Sequence, residues 1–384
     1  MPAEFTLHVH PSVADIGREA WDACAGPTGD PFVSYDFLDA CEASGSAVPA
    51  EGWAGRHLSL RDEDDRVIGV MPLWLKGHSQ GEYVFDHAWA EAYERAGGRY
   101  YPKLLAAVPF TPVTGPRFLA HPQADAATVR EALLQGALAL SDRLGVSSLH
   151  VNFPTGEEWA AMGAAGLLLR QDMQFIWRNR GYRTFDDFLA ELSSNRRKTI
   201  RRERREAQAG LEIRILTGDA IETAHWDAFF AFYMDTGARK WGRPYLTRDF
   251  FARLGATMAD RIALVMAFRD GTPVAGALNL IGADALYGRQ WGALDEAPFL
   301  HFELCYYQAI DFAISRGLTR VEAGAQGEHK IARGYLPSPV WSAHHIADPA
   351  LRDPVARYLE GERPAVAAGI AALTEELSPF RTVG

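Results

Sequence analysis

Val321-Glu-Ala-Gly-Ala-Gln-Gly-Glu-His-Lys-Ile-Ala-Arg-Gly-Tyr-Leu-Pro337 reads as the end of a strand, a tight turn and one short helical piece. Gly324 and Gly327 supply backbone conformations that a Cβ would penalise. Gln326, Glu328, His329, Lys330 and Arg333 then crowd polar and ionisable groups into eight residues. Free backbone N–H groups in such a turn, beside two cations, make a seat for an anionic or carbonyl-bearing ligand. A solvated loop after a strand would share most of these features, so the place of the stretch in the chain decides its reading.

Working outward, the strand Arg320–Ala323 follows a helix over Phe302–Arg316 that Gly317 ends. Before it come helices at 222–236 and 248–259. A hairpin follows, Ile262–Phe268 and Pro273–Ile281 about Arg269-Asp-Gly-Thr, and leads into a strand Ala285–Trp291. The first half repeats this order. A hairpin runs over Arg56–Arg61, turns at Asp62–Asp65 and returns as one apolar strand, Val67–Lys76. A helix Ala126–Leu144 ended by Gly145, a strand Ser147–Phe153, a short helix Glu157–Gly166 and a strand Arg170–Arg178 follow. The helix-ending glycines lie 172 positions apart and the hairpins about 208, because the first half carries a long insertion. In that insertion Pro102, Pro109, Pro112 and Pro116 rule out a central helix over Tyr100–Arg117 and favour an extended surface path. Near the C-terminus a strand Trp341–Ile346 precedes a helical tail, Ala350–Leu377, interrupted at Pro354 and Pro364. Two domains follow, 1–180 with the proline-rich insertion and 181–384 with a basic helix and the tail.

The length of 384 residues agrees with two cores, and 48% hydrophobic residues are ample for packing them. A net charge of −10 argues against general binding to nucleic acid or an anionic membrane. Cys24, Cys41 and Cys305 share no C-x-x-C spacing and point to a reducing compartment. No basic-then-apolar leader and no membrane-length apolar run is visible, so the expectation is a cytoplasmic protein without a membrane span.

Against that acidic background, Arg196–Arg205 holds seven Lys or Arg in ten positions. On a helix Arg197, Arg201, Arg204 and Arg205 share one face, which suits either a solvated helix with Arg–Glu pairs or a clamp for phosphate. Asp86, His87, Tyr100, Tyr101 and Lys103 line a pocket wall or cover a sheet edge. Arg289, on an apolar strand beside Gln290, needs a partner, either a ligand anion or Glu322 or Glu328. Trp241, Gly242, Arg243 and Tyr245 are of the same kind. The phosphate-loop, dinucleotide, nucleophile-elbow and H-E-x-x-H motifs are all missing. The neighbours His344 and His345 lie on a strand and face opposite ways, so one metal cannot readily take both.

S-S-N-R-R-K-T-I-R-R-E-R-R-E, Y-Y-P-K-L…P-F-T-P-V-T-G-P-R and G-A-Q-G-E-H-K-I-A-R-G-Y-L-P, set in tandem halves, resemble the FemAB-like branch of the GNAT acyltransferase superfamily. The resemblance covers roughly Phe32–Pro349. It implies an α/β (α+β) fold of tandem GNAT-like domains, each a mixed, mainly antiparallel sheet flanked by helices, facing each other across a cleft. It also implies an acyl- or aminoacyl-transferase that forms an amide on an amine acceptor related to cell-wall precursors. Lys330 leads the expected site because His329-Lys330 stands where Fem enzymes carry Phe-Lys. Lys330 and Arg333 are assigned to substrate or oxyanion charge, Glu328 or His329 to proton handling, and Arg197, Arg201 and Arg204 to phosphate. Arg289, Gln326, Tyr101, Lys103, Asp86 and His87 complete the set of substrate contacts. The coiled-coil insertion with which some Fem enzymes hold tRNA is missing, so acyl-CoA stands beside aminoacyl-tRNA as donor substrate, with no tightly bound cofactor and no DNA partner. The other readings are a non-catalytic binder of peptide or cell-wall fragments and a regulatory protein whose basic helix holds nucleic acid.

Overall fold

The computed structural model describes residues 5–240, 243–295, 297–324 and 327–381. Trp241, Gly242 and Gln326 lie outside them. The chain divides into a first unit, Met1–Asp172 with Val340–Ala367, and a second, Met173–Pro339 with Ala368–Gly384. The division thus falls at 172/173 and not at 180/181, and part of the C-terminal segment returns to the first unit. Strand pairing explains the return: Ser342–Ile346 run antiparallel to Ser148–Asn152, with His344 opposite His150.

In the first unit a four-stranded antiparallel sheet takes the order Thr6–His10, His57–Arg61, Val67–Met71, Leu119–Ala120. A second set pairs Trp53–Gly55 with Trp74–Lys76, that strand with Lys103–Ala106, and Lys103–Ala106 in parallel with Ser148–Asn152. The single return strand expected over Val67–Lys76 is therefore two strands in different sheets. Pro72 lies at the break, where a residue without an N–H cannot continue a ladder. The proline-rich segment also differs from its expected surface path. Tyr100 and every residue of Lys103–Val113 are buried, and Lys103–Ala106 is an interior strand. Its prolines flank this four-residue strand and so leave its hydrogen bonds intact. The helix Ala126–Leu144, capped by Asp125 and ended by Gly145 at φ 60, lays Val129, Leu133, Ala137 and Leu140 on the core.

In the second unit the order is Glu212–Leu216, Ile262–Arg269, Thr272–Ile281, Ala285–Ala293, Arg320–Glu322, then residues 176–178. All pairs are antiparallel except Ala285–Ala293 with Arg320–Glu322. The helix Thr223–Lys240 packs tightly on this sheet. A Cβ built on Gly292 would lie 2.2 Å from the Phe232 carbonyl oxygen and 2.3 Å from its carbon. Neither atom can move without moving the helix. Gly292→Ala is therefore expected to cost about 2–3 kcal/mol, as overpacking against backbone does, read as a lower urea midpoint with unchanged slope.

The expected helix over Phe302–Arg316 begins at Leu300 and widens to a π-turn over Glu303–Tyr307 before Gln308–Ser315 resumes the α form. The tail is one helix, Pro349–Leu377, with Pro354 and Pro364 inside it. Each proline removes one donor from the ladder without ending it.

Candidate functional site

The basic helix spans Ser194–Ala207 and buries Ile200, Glu203 and Ala207, at i, i+3 and i+7. That face sets its rotation and puts Glu203 in the core among seven cations. Arg204, expected on a phosphate face, donates to Glu303 at 3.1–3.2 Å and to Asp311 at 3.3 Å, with its guanidinium 4.4 Å from the Phe185 ring centroid. Arg197 donates to the Leu192 carbonyl at 2.6 Å, and Arg201 meets Asp186 at 3.0 Å in solvent. The exposed stripe is Lys198, Arg201, Arg202 and Arg205, at i, i+3, i+4 and i+7.

The turn after Arg320–Glu322 is built as its glycines require. Gly324 has φ 80, Gly327 φ 116 and Gly334 φ 92, bracketing a 3-10 helix over Glu328–Arg333. At Gly334 a Cβ would sit 2.7 Å from the Phe188 ring, so only glycine lets the turn close on this core. Lys330 is only 3% exposed, and its Nζ donates to the Gly324 carbonyl at 2.8 Å. Among the described residues that neutral oxygen is its one hydrogen-bond partner. Burial lowers the Lys330 ammonium to about 8, and Cys305 pulls the other way.

His329 is exposed, and its Nε2 lies 3.0 Å from the Tyr306 hydroxyl. Burial, then Lys330 and Arg333, hold it below the ordinary histidine value, so it is neutral near pH 7. Glu328 is exposed on the same turn. Arg333 turns inward. Its Nη2 donates to both oxygens of Glu203 at 2.8 and 3.0 Å, its Nη1 to the His329 carbonyl, and its guanidinium stacks on Phe302. Arg289 lies half-buried on Ala285–Ala293.

Of the residues singled out in the first unit, Asp86, Tyr100, Tyr101 and Lys103 join one buried network. Lys103 is fully buried and donates to Ser79 and Glu82 at 2.8 Å and to Asp86. Tyr100 donates to Asp86 at 2.7 Å, and Tyr101 meets the Ser79 hydroxyl at 2.8 Å. His87 is exposed at the start of the next helix. Sequence reasoning did not place Lys76, Ser79, Glu82, His150 or His344 in this network. Lys76 rests 3.5 Å from the Trp53 ring centroid and 4.0 Å from Glu82. Burial lowers Lys76 to about 7 and raises Glu82 to about 7. His150 and His344 meet through Nδ1 atoms 2.6 Å apart. A lysine in the otherwise apolar Trp74-Leu-Lys76 was the available signal.

Two of the buried lysines, Lys103 and Lys330, are held differently. Burial works against the Lys103 ammonium, but Glu82 and Asp86 overcome it, and the group stays above the ordinary lysine value. Among the described residues Lys330 has no such carboxylate, and burial brings it down to about 8. Lys330 is thus a buried amine lowered by its burial, next in sequence to an exposed neutral imidazole.

A family model described as peptidoglycan biosynthesis/recognition matches residues 12–382. The chain belongs to the FemAB-like family. The resemblance drawn from its motifs is thereby established, with a mixed α/β fold of mainly antiparallel sheets as expected. Among solved structures, FemX aligns with this FemAB-like chain at TM-score 0.54 and 12% identity, over 92% of this chain and 100% of that one. The C-terminal domain of a putative lysylphosphatidylglycerol synthetase from Agrobacterium fabrum aligns at 0.52 and 9%, over 88% and 96%. At such identities the likeness is one of fold. No curated protein shows a significant match. Among the described residues of the FemAB-like chain no helix is long and apolar enough to cross a membrane.

Proposed function

We propose that the chain transfers an acyl or aminoacyl group to an amine acceptor, forming an amide, in the chemistry of peptidoglycan precursors. The observation that supports this reading is Lys330: a buried amine lowered to about 8, bonded to one carbonyl, in a glycine-framed turn. The acceptor's amine attacks the carbonyl carbon of a thioester or ester donor, and a C–N bond forms. The Lys330 ammonium faces the charge that develops on the carbonyl oxygen. Neutral His329 takes the proton from the amine and returns it to the sulfur or oxygen that leaves when the C–S or C–O bond breaks. The donor is acyl-CoA or aminoacyl-tRNA. Its phosphates, or those of the acceptor, fit the exposed stripe Lys198, Arg201, Arg202 and Arg205, since Arg204 and Arg333 are engaged internally.

Acetyl-CoA, alanyl-tRNA and a nucleotide-linked muropeptide, offered one at a time in native mass spectrometry, test the reading. Binding of a donor, with transfer lost about 100-fold or more in Lys330→Ala, supports it. Binding of the muropeptide alone, with neither donor held, overturns it in favour of a binding protein. The pH profile follows from the two groups. Transfer rises as His329 loses its proton somewhat below pH 6.5 and falls as Lys330 loses its own near pH 8.

A further inference from the structure

We infer that Glu203, buried on the core face of the basic helix, is the positioning residue that fixes the His329–Lys330 turn, acting through Arg333. The inference deepens the transferase reading and rests on it for its meaning, though its geometry does not. Glu203 is 5% exposed and holds three hydrogen bonds. Two come from Arg333 Nη2, at 2.8 and 3.0 Å, and one from the hydroxyl of Tyr307 in the π-turn. The same arginine reaches forward through Nη1 to the His329 carbonyl at 2.8 Å. One carboxylate therefore ties the basic helix, the π-turn and the lysine turn together. Each tie is charge-assisted. Among the described residues the turn is also held by backbone bonds from Lys330 N to Gly327, Gly334 N to Ile331 and Tyr335 N to Lys330, by Lys330 Nζ on Gly324, by His329 Nε2 on Tyr306 and by Arg333 stacked on Phe302.

Glu203 also balances charge. Arg333 and Lys330 both press on the His329 imidazole from its own turn. From the neighbouring helix Tyr306 meets it by hydrogen bond, and the rings of His301 and Phe302 lie 6.3 and 5.6 Å away. Without the carboxylate, the charge of Arg333 would act on His329 unopposed. The imidazole would then hold its proton less tightly.

The test is a proton NMR titration of the His329 ring in the full chain. Glu203→Gln keeps an acceptor for Arg333 and removes the charge, and the His329 midpoint is expected to fall by roughly half a pH unit. Glu203→Asp, which restores the charge, is expected to recover most of that shift. Tyr307→Phe, which keeps both charges, is expected to leave it in place. A folded Glu203→Gln protein whose His329 midpoint is unmoved overturns the inference, as does one in which Tyr307→Phe moves it equally. No substrate is needed, so failure of the donor screen sinks the transferase reading alone, and an unmoved midpoint sinks this one alone.

Discussion

Lys103→Met is expected to remove about 3–5 kcal/mol of stability at pH 8, a large part of what holds a domain folded. The lysine sits with all three donors engaged, on Ser79, Glu82 and Asp86, in a place with no measurable solvent. Methionine fills the volume but leaves two carboxylates buried against each other. Each already has an oxygen without a hydrogen-bond partner among the described residues, Oε1 of Glu82 and Oδ1 of Asp86. The loss is expected to shrink at pH 5, where the stranded carboxyls can take protons. Lys103→Met combined with Glu82→Gln and Asp86→Asn is expected to recover most of the stability, because no uncompensated charge then remains. Guanidinium unfolding followed by tryptophan fluorescence measures all three comparisons. A single-variant loss below 1 kcal/mol at pH 8 would contradict the account. Lys76→Met gives the contrast. Lys76 touches carboxylate only at 4.0 Å and is lowered to about 7 by burial, so its removal is expected to cost far less.

Much of the second unit was legible because its signals are local. Gly324 and Gly327 announce the turn by themselves, and a cation beside two glycines is visible without a partner. The basic helix was legible as a helix but not in its rotation. Seven cations in ten positions gave no apolar face to orient, so Arg204 and Arg205 were placed together on an outer face. The structure turns Arg204 toward Glu303 and Glu203 toward the core. What decides this is Arg333, 130 residues from Glu203 along the chain, which supplies the countercharge that makes a buried glutamate tolerable. Long-range pairing of this kind leaves no trace in periodicity.

The first unit hid more for the same reason. Pro102 and Pro109, with Pro112 and Pro116, were read as marks of an extended surface path, because proline cannot donate to a ladder. The argument holds for proline positions inside a strand, and Lys103–Ala106 fits between them. The return of Val340–Ala367 to this unit is likewise a matter of which strand finds which partner. His344 and His345 were read correctly as facing opposite ways, the first buried and the second half-buried. The partner of His344 is His150, 194 residues away. The pair is a structural element of the first unit and has no part in the proposed chemistry.

That pair carries the second large effect, an acid-dependent loss of stability between about pH 6.5 and pH 3. Burial, with Lys103 adding to it, lowers His150 to about 3; burial and His150 hold His344 well below the ordinary value. The contact geometry agrees. Nδ1 to Nδ1 at 2.6 Å admits one proton between the rings, while Ser148 and Ser342 meet the outer Nε2 atoms at 2.7 and 2.9 Å. Two imidazolium rings would set N–H against N–H. A depressed folded-state value means that the unfolded chain binds the proton first. The contribution is therefore intact above pH 6.5, the unfolded value, and erodes as pH falls toward the folded one, by about 1.4 kcal/mol per pH unit for each histidine kept neutral. Glu82 acts in the opposite sense. Burial raises it to about 7, so its contribution is whole below its unfolded value near 4.5 and is lost as pH rises through 7. Because both act on the same stability curve, the decisive measurement is site-specific: nitrogen-15 NMR of the two rings in the folded protein from pH 7.5 to 4.5. The expected spectrum shows two neutral rings throughout, one carrying its proton on Nδ1 and the other on Nε2. A folded-state midpoint near 6.5 for either ring would remove the acid-labile element from this fold.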